Sequence, residues 1–399
     1  MVDRVLDTSD LSNLEVGGSV ISCSGGGPST TGSPPPPLDA ATAAPRLRPV
    51  ADLQDDDFVV MMGAIGGGVS LHESRRWLSL LHQSPDATAL QTKRIEMLAP
   101  RDPVPTWASW PQSTWVQTGL VRLGELVGKA PAAFLISETG PLAAEAVVFA
   151  SSADQVVLDA DTTGGRPVPE MSFNLLNVNG VPLVPVVFVN QWGDRLVFEE
   201  LLNMQRLEDM SRALATASGG TGLLLVGLTG AQVKSGDAAY PGTLSRTMAI
   251  GKAANEATKA GSDPVSAALE AAGGRVIFSG HLESHTTEER GAFTSGRTII
   301  SGDEEWDGHW LRIWFQNENL VSWLDDAPYV AAPDLITVLD PATGLALSNF
   351  AGSDWPRGRE VVVAGIPCAP FWRQEPGRDI FNPARWGFGV GFEPVSANP

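Results

Sequence analysis

Short apolar runs that end in glycine recur through the first half of the chain. DDDFVVMMGAIGGG, from Asp55, passes from a charged turn through an apolar stretch into glycines; AAFLISETG, from Ala132, and DQVVLDADTTGG, from Asp154, do the same. Each is a buried strand closed by a turn. Between them, residues 74–81 and 141–150 have helical character, which gives the strand, loop, helix alternation of an α/β domain. Residues 195–217 carry apolar positions at helical spacing, and residues 242–260 form a second helical run with Thr243 or Ser245 as its cap. The strand GLLLVGL lies between these two. After Gly273 the pattern changes to short strands and turns: RVIFSGHLES, GRTIISG, HWLRIWFQ, DLITVLD and REVVVAGIP. That is a β module. The expected architecture is an α/β amino-terminal domain, residues 1–172, followed by a mainly β carboxyl-terminal domain, residues 173–399. The second domain begins with a helical linker region, 195–272, and ends in the β module, 273–399.

The length of 399 residues suits two domains. A net charge of -19 with no basic run argues against nucleic acid and anionic membranes as partners. The first twenty residues include acidic ones and lack an apolar stretch of secretory length. Cys23 and Cys368 are the only cysteines, far apart and outside any CxxC spacing. A reducing, cytoplasmic setting is therefore the expectation. GGGPSTTGSPPPP, from Gly25, can hold neither helix nor sheet and reads as an exposed loop.

Polar residues at the ends of the three strand-glycine segments are the first candidates for chemistry, because α/β sheets bind ligands at the carboxyl ends of their strands. Asp159, Asp161, Arg166 and Glu170 fall within twelve residues. Such carboxylates could hold a divalent ion, activate water, or accept the N–H groups of a cyclic amide. Arg166 could neutralise them or clamp a substrate carboxylate; an ion-paired turn is the plainer alternative. If Asp159 lies in a strand, Asp161 projects to the same face. Gly25, Gly26 and Gly27 follow VISCS and could offer backbone donors, or simply make a tight turn. They fit no dinucleotide or nucleoside triphosphate spacing, so no nucleotide cofactor is expected. Cys23 is a minor candidate nucleophile. His72 beside Glu73 is an acid–base or metal pair in a loop, whereas His281 and His285 sit on a strand, too far apart to share a metal. Asn317 and Glu318 end a strand of the β module and could reach a cleft between the domains, or cap a turn.

The order of these blocks resembles the S-methyl thiohydantoin desulfurase-like family, associated with hydantoinase and oxoprolinase genes. The resemblance rests on Asp159-Ala160-Asp161, Gly164-Gly165-Arg166 and Pro169-Glu170. Supporting blocks are Gly25 to Gly27, Met62-Gly63-Ala64, Glu138 with Gly140, Gly242-Thr243-Leu244-Ser245, Asn317-Glu318 and Pro333 to Asp340. Two loops depart from the family: Ile65 and glycines replace a proline after Ala64, and the turn after Glu138 is short and lacks an asparagine.

The resemblance implies a hydrolase of a small cyclic amide or thiohydantoin-type heterocycle, releasing methanethiol from an S-methyl thiohydantoin and leaving hydantoin. It implies catalytic roles for Asp159, Asp161, Arg166, Glu170 and Glu138. Substrate contacts would fall to Gly25, Gly26, Gly27, Gly63, Gly164, Gly165, Glu73 and Asn317. A divalent metal such as zinc is one option for the cofactor. The partner is a small heterocyclic substrate, with a homo-oligomer or a hydantoinase-like subunit as further options. The alternative functions are a subunit of a hydantoinase- or oxoprolinase-like complex, or a non-catalytic or biosynthetic accessory protein with an altered ligand.

Overall fold

The three glycine-ended strands lie side by side and parallel, as one sheet edge requires. A computed structural model describes residues 3–27, 44–68, 112–152, 154–190 and 194–395. In chain order the first part contains β1 (Arg4–Val5), α1 (Thr8–Val20), β2 (Arg46–Arg48), β3 (Phe58–Gly66), α2 (Gln112–Val127), β4 (Ala133–Ile136), α3 (Ala143–Ser152), β5 (Val157–Leu158) and β6 (Ala160–Asp161). Then come β7 (Val186–Val189), β8 (Arg195–Phe198), α4 (Met204–Ala217), β9 (Thr221–Thr229), β10 (Tyr240–Pro241), α5 (Thr243–Ala260) and α6 (Pro264–Ala272). One sheet has the order β1-β2-β5-β4-β3-β9-β7-β8. β3 pairs parallel with β4, and β4 with β5, whereas β9 runs antiparallel beside β3 along its whole length.

Period-two burial explains why these segments are strands with two covered faces. Val59 and Met61 of β3 join Leu224 and Val226 of β9 and Leu207 of α4 in one core. Val60 and Met62, with Leu225, Leu123 and Val147, belong to the core on the other face, under α2 and α3. The segment from Val186 to Thr229 thus completes the amino-terminal sheet. The helical pattern over 195–217 also divides: Arg195–Phe198 is an edge strand, and the helix starts at Met204 under an Asn203 cap.

The second part is a seven-stranded antiparallel sheet of β11 (Arg275–Arg290), β12 (Phe293–Gly302), β13 (Trp310–Gln316), β14 (Glu318–Leu324), β15 (Ala327–Ala331), β16 (Leu335–Leu339) and β17 (Glu360–Ile366). Its order is β15-β14-β13-β12-β11-β17-β16, and it curls so that β16 contacts β14. The sequence pattern does not single out β14 and β15. Asn317, at φ 60°, makes the tight turn between β13 and β14.

One close contact lies within the first part, and the next stretch of chain ties it to the second. Helices α1 and α5 pack backbone to backbone: a Cβ on Gly17 would stand 1.9 Å from the Thr247 carbonyl, and one on Gly251 1.9 Å from that of Asn13. After α1 the chain then runs between strands of the second sheet. Cys23 N–H donates to Thr337 Oγ (3.2 Å) and Cys23 C=O accepts from Asn319 N–H (2.7 Å). Ser24 C=O accepts from Asn349 N–H (2.8 Å), and Ser24 Oγ from Val338 N–H (3.2 Å).

Candidate functional site

The carboxyl ends of β3 and β4 open onto a pocket between the sheet and helices α2 and α3. Met62 and Ala64 of β3 form its floor with Leu223 of β9, while Ala146 and Phe149 of α3 and Val116 of α2 form its wall. Counting its open mouth, it encloses about 810 Å3 of empty space. A concave, mostly apolar site with a few convergent polar groups suits a small molecule. Ser137, Glu138, Gly140 and Gly26 close the end nearest the second sheet. Among the described lining residues Glu138 is the only ionisable one.

Glu138 sits just past the end of β4, where Oε2 accepts from Val168 N–H at 2.9 Å. On the far side of the Gly26 turn stands Glu318, the first residue of β14. Its Oε1 accepts from Gly26 N–H at 2.7 Å, and its Oε2 is buried without a hydrogen-bond partner. A Cβ on Gly25 would fall 2.5 Å from that Oε1, so glycine is what lets the backbone approach the carboxyl. Burial, and then the charge of Glu318, raise the Glu138 carboxyl above the ordinary range. Burial likewise raises Glu318, against the pull of Gly26 N–H and the Arg166 charge. Two buried carboxyls that repel each other's charge retain a proton into the neutral range. Such a pair can give a proton to a bound ligand and take one back.

The Asp159–Glu170 segment is placed differently from expectation. Asp159 accepts from Ser245 N–H (2.9 Å) and Ser245 Oγ–H (2.6 Å), so it caps α5 from outside; the helix has Gly242, not Thr243 or Ser245, at its own cap position. Asp161 is fully buried. One of its oxygens accepts from Thr163 N–H (3.1 Å) and Gly164 N–H (2.8 Å), the other from Thr139 N–H (2.9 Å) and Gly165 N–H (3.0 Å). Burial pushes its carboxyl up to about 6 against the pull of these donors. Gly164 and Gly165, both at φ 80°, wrap the loop around it in a conformation costly for other residues. Asp159 and Asp161 therefore serve separate partners and do not address one ligand.

Arg166 is also fully buried. It donates to the carbonyls of Pro167 (3.0 Å) and Pro333, approaches Cys23 Sγ (3.7 Å), and lies 4.7 Å from the centre of the Phe381 ring. Its bidentate face is thus spent on protein, and its charge steadies Glu138 and Glu318. Glu170 pairs with Arg385 at 3.0 Å. None of Asp159, Asp161, Arg166 and Glu170 lines the pocket.

The remaining candidates divide likewise. Gly26 lines the pocket but donates its N–H to Glu318; Gly27 packs against Leu142, where a Cβ would meet Leu142 Cδ1 at 2.5 Å. Gly63 faces Met171 and Ser137, with no room for a side chain. Asn317 links the sheets, accepting from Thr294 N–H (2.9 Å) and donating to the Gly66 carbonyl (3.3 Å). Burial pushes the Cys23 thiol up to about 11, so it is not the thiolate a nucleophile needs. His281 faces Asp303, and His285 is stacked between Phe315 and Trp355. His72, Glu73 and the proline-rich stretch lie outside the described residues. Among those described, no group of three or more His, Cys, Asp or Glu side chains is placed to hold a metal ion. No described helix is long and apolar enough to cross a membrane.

Sequence reasoning gives Glu318 only as a strand end that could reach a cleft or cap a turn, and it does not place the apolar wall. The Asn317-Glu318 block was a signal for the first; nothing in the spacing of Val116, Ala146 and Phe149 separates a pocket wall from core.

Together these features define a two-part protein, α/β followed by β, whose pocket sets a raised carboxyl against an apolar wall. Within that class the chain belongs to the S-Me-THD-like family: the model of its N-terminal domain matches residues 103–200 and that of its C-terminal domain residues 203–395. A protein from Chromobacterium violaceum solved by X-ray crystallography is similar in fold. Its TM-score is 0.70 and its identity 21%, over 98% of this chain and 100% of that one. No curated protein matches significantly.

Proposed function

We propose that this protein hydrolyses a small cyclic amide or thiohydantoin-type heterocycle in the pocket between β3, β4 and α3, with Glu138 as its acid and base. The observation that supports it most is the Glu138 carboxyl in the pocket lining, raised by burial and by the charge of the buried Glu318. For an S-methyl thiohydantoin, water oxygen bonds to the ring carbon that carries sulfur, and the C–S bond breaks with its electron pair on sulfur. The two water protons end on the ring nitrogen and on methanethiol. Protonated Glu138 gives its proton to the ring nitrogen as water attacks and takes one from the added oxygen; as the C–S bond breaks it passes that proton to the leaving thiolate and takes the second from the oxygen, which becomes the carbonyl, so the acid is regenerated. Glu318 holds the pair's remaining charge, and Arg166 offsets it. Asp159 and Asp161 hold the loop and the start of α5 behind the site.

The test is incubation of purified protein with S-methyl thiohydantoins, with and without chelator and added zinc. Methanethiol is read with a thiol reagent and hydantoin by mass spectrometry. Glu138→Gln should lower kcat by about 10²–10⁴-fold, the usual contribution of a general acid. Turnover by Glu138→Gln at the wild-type rate would remove Glu138 from the chemistry.

A further inference from the structure

We propose that the pocket selects heterocycles whose ring substituent is apolar and uncharged, and turns away those bearing a carboxylate. The inference rests on the hydrolase reading for what reacts, but on the pocket alone for what binds. Beside the carboxyl end at Glu138, the surface a ring substituent would meet is built from Val116, Leu142, Ala146, Phe149 and Leu223. Among the described lining residues there is no lysine, arginine or histidine.

Arg166, the guanidinium that the sequence offered as a carboxylate clamp, cannot serve as one. It is fully buried, engaged by the carbonyls of Pro167 and Pro333, and covered by Phe381. A carboxylate on the substituent would lose its hydration against an apolar wall and face Glu138 and Glu318, and no described lining residue would offer it a positive charge. An ammonium would lose its hydration on the same wall. An aliphatic or aromatic side chain gains instead: each buried methylene is worth about fourfold in affinity, and a whole leucine-sized side chain roughly ten- to hundredfold. Only the ring's polar edge is served, by Glu138 and Ser137.

The experiment uses the full chain and five S-methyl thiohydantoins carrying the side chains of glycine, leucine, phenylalanine, glutamate and lysine. kcat/KM is measured for each, and calorimetry gives Kd for the matching hydantoins, which lack the leaving group. Leucine- and phenylalanine-type rings should exceed the glycine type at least tenfold in both, with the glutamate type weakest. Equal or better handling of the glutamate or lysine type would overturn the proposal while leaving the hydrolase reading intact. If nothing reacts but the hydantoins bind in the stated order, the hydrolase reading fails and this one stands; if none binds, this one fails.

Two variants on the pocket face of α3 sharpen the test. Ala146→Leu should shift the preference toward the glycine type by filling the pocket, and Ala146→Lys should raise the relative affinity for the glutamate type. A folded Ala146→Leu, checked by thermal melting, whose side-chain preference is unchanged would place the substituent elsewhere and refute the assignment.

Discussion

Replacing Asp161 by asparagine separates a loop-building carboxylate from a reacting one. The side chain is fully buried, and its oxygens accept from four backbone N–H groups: Thr163 and Gly164 on one, Thr139 on the other, and Gly165 shared between the two. Asparagine keeps shape and one acceptor oxygen, but its amide NH2 must replace the second. One orientation sets the NH2 against Thr163 and Gly164, the other against Thr139, so one or two backbone donors then face another donor. Each buried group left unpaired costs about 1–3 kcal/mol, and hydrogen bonds to the surviving oxygen lose their charge assistance. A total of about 2–5 kcal/mol follows, since the loop can relax around one of the two donors. Equilibrium urea unfolding at pH 7.5, followed by circular dichroism and by tryptophan fluorescence, reads the loss as a lower midpoint at unchanged slope. Turnover of what remains folded should fall far less than in Glu138→Gln. An Asp161→Asn protein with a wild-type midpoint and no turnover would refute the reasoning and put Asp161 into the chemistry.

Three further outcomes are expected. Because the Glu138 carboxyl is raised in the folded state, stability falls as pH climbs from its ordinary 4.5 toward that raised value, by about 1.4 kcal/mol for each pH unit crossed. Glu138→Gln should flatten this fall in unfolding experiments between pH 5 and 9, and an unchanged slope would deny that the carboxyl is raised. Burial pushes the His285 imidazole down to about 4, so wild-type stability should drop as pH falls below about 6.5, where the unfolded chain takes up that proton first. His285→Phe should keep the stacking and lose one proton's worth of this slope; acid unfolding identical to wild type would count against it. Gly251→Ala drives a methyl to 1.9 Å from the Asn13 carbonyl, and overpacking of this kind costs about 1–3 kcal/mol. A melting temperature equal to wild type would mean that α1 and α5 are not in backbone contact.

The parallel run of β3, β4 and β5 was legible because each strand carries its own punctuation: a charged or polar start, an apolar middle and a glycine turn. The β module was legible for the same reason. What periodicity does not carry is partner choice. GLLLVGL reads as a buried strand in any sheet, and only tertiary packing sets it antiparallel beside β3, so the first sheet extends past the expected boundary at residue 172. Arg195–Phe198 was absorbed into a helical pattern because four residues are too few to distinguish the two periods. Around the pocket, Glu138 was legible as a polar residue at a strand end. For Glu318 the sequence offers only a strand end that could reach a cleft; its neighbour Gly26 lies 292 positions away along the chain, and no local spacing reports such a meeting. Asp159 and Asp161 misled through the same local logic: two carboxylates two residues apart look like a pair, yet β10 and the start of α5 draw one of them away.

The passage of residues 22–25 between strands of the second sheet bears on how the protein is made. A ribosome delivers Cys23 and Ser24 long before Asn319, Thr337, Val338 and Asn349, whose groups complete their hydrogen bonds. Until those residues emerge, the end of α1 has no finished environment, and the turn that carries Gly26 has no carboxyl to rest on. Synthesis thus runs ahead of assembly, and a nascent chain halted after the first sheet holds the described pocket lining but leaves the Gly26 turn without Glu318 and residues 23–24 without their strand partners. Cutting the gene between the two matched regions would not yield two working halves. Inheritance as a single unit is imposed by the path of the chain itself.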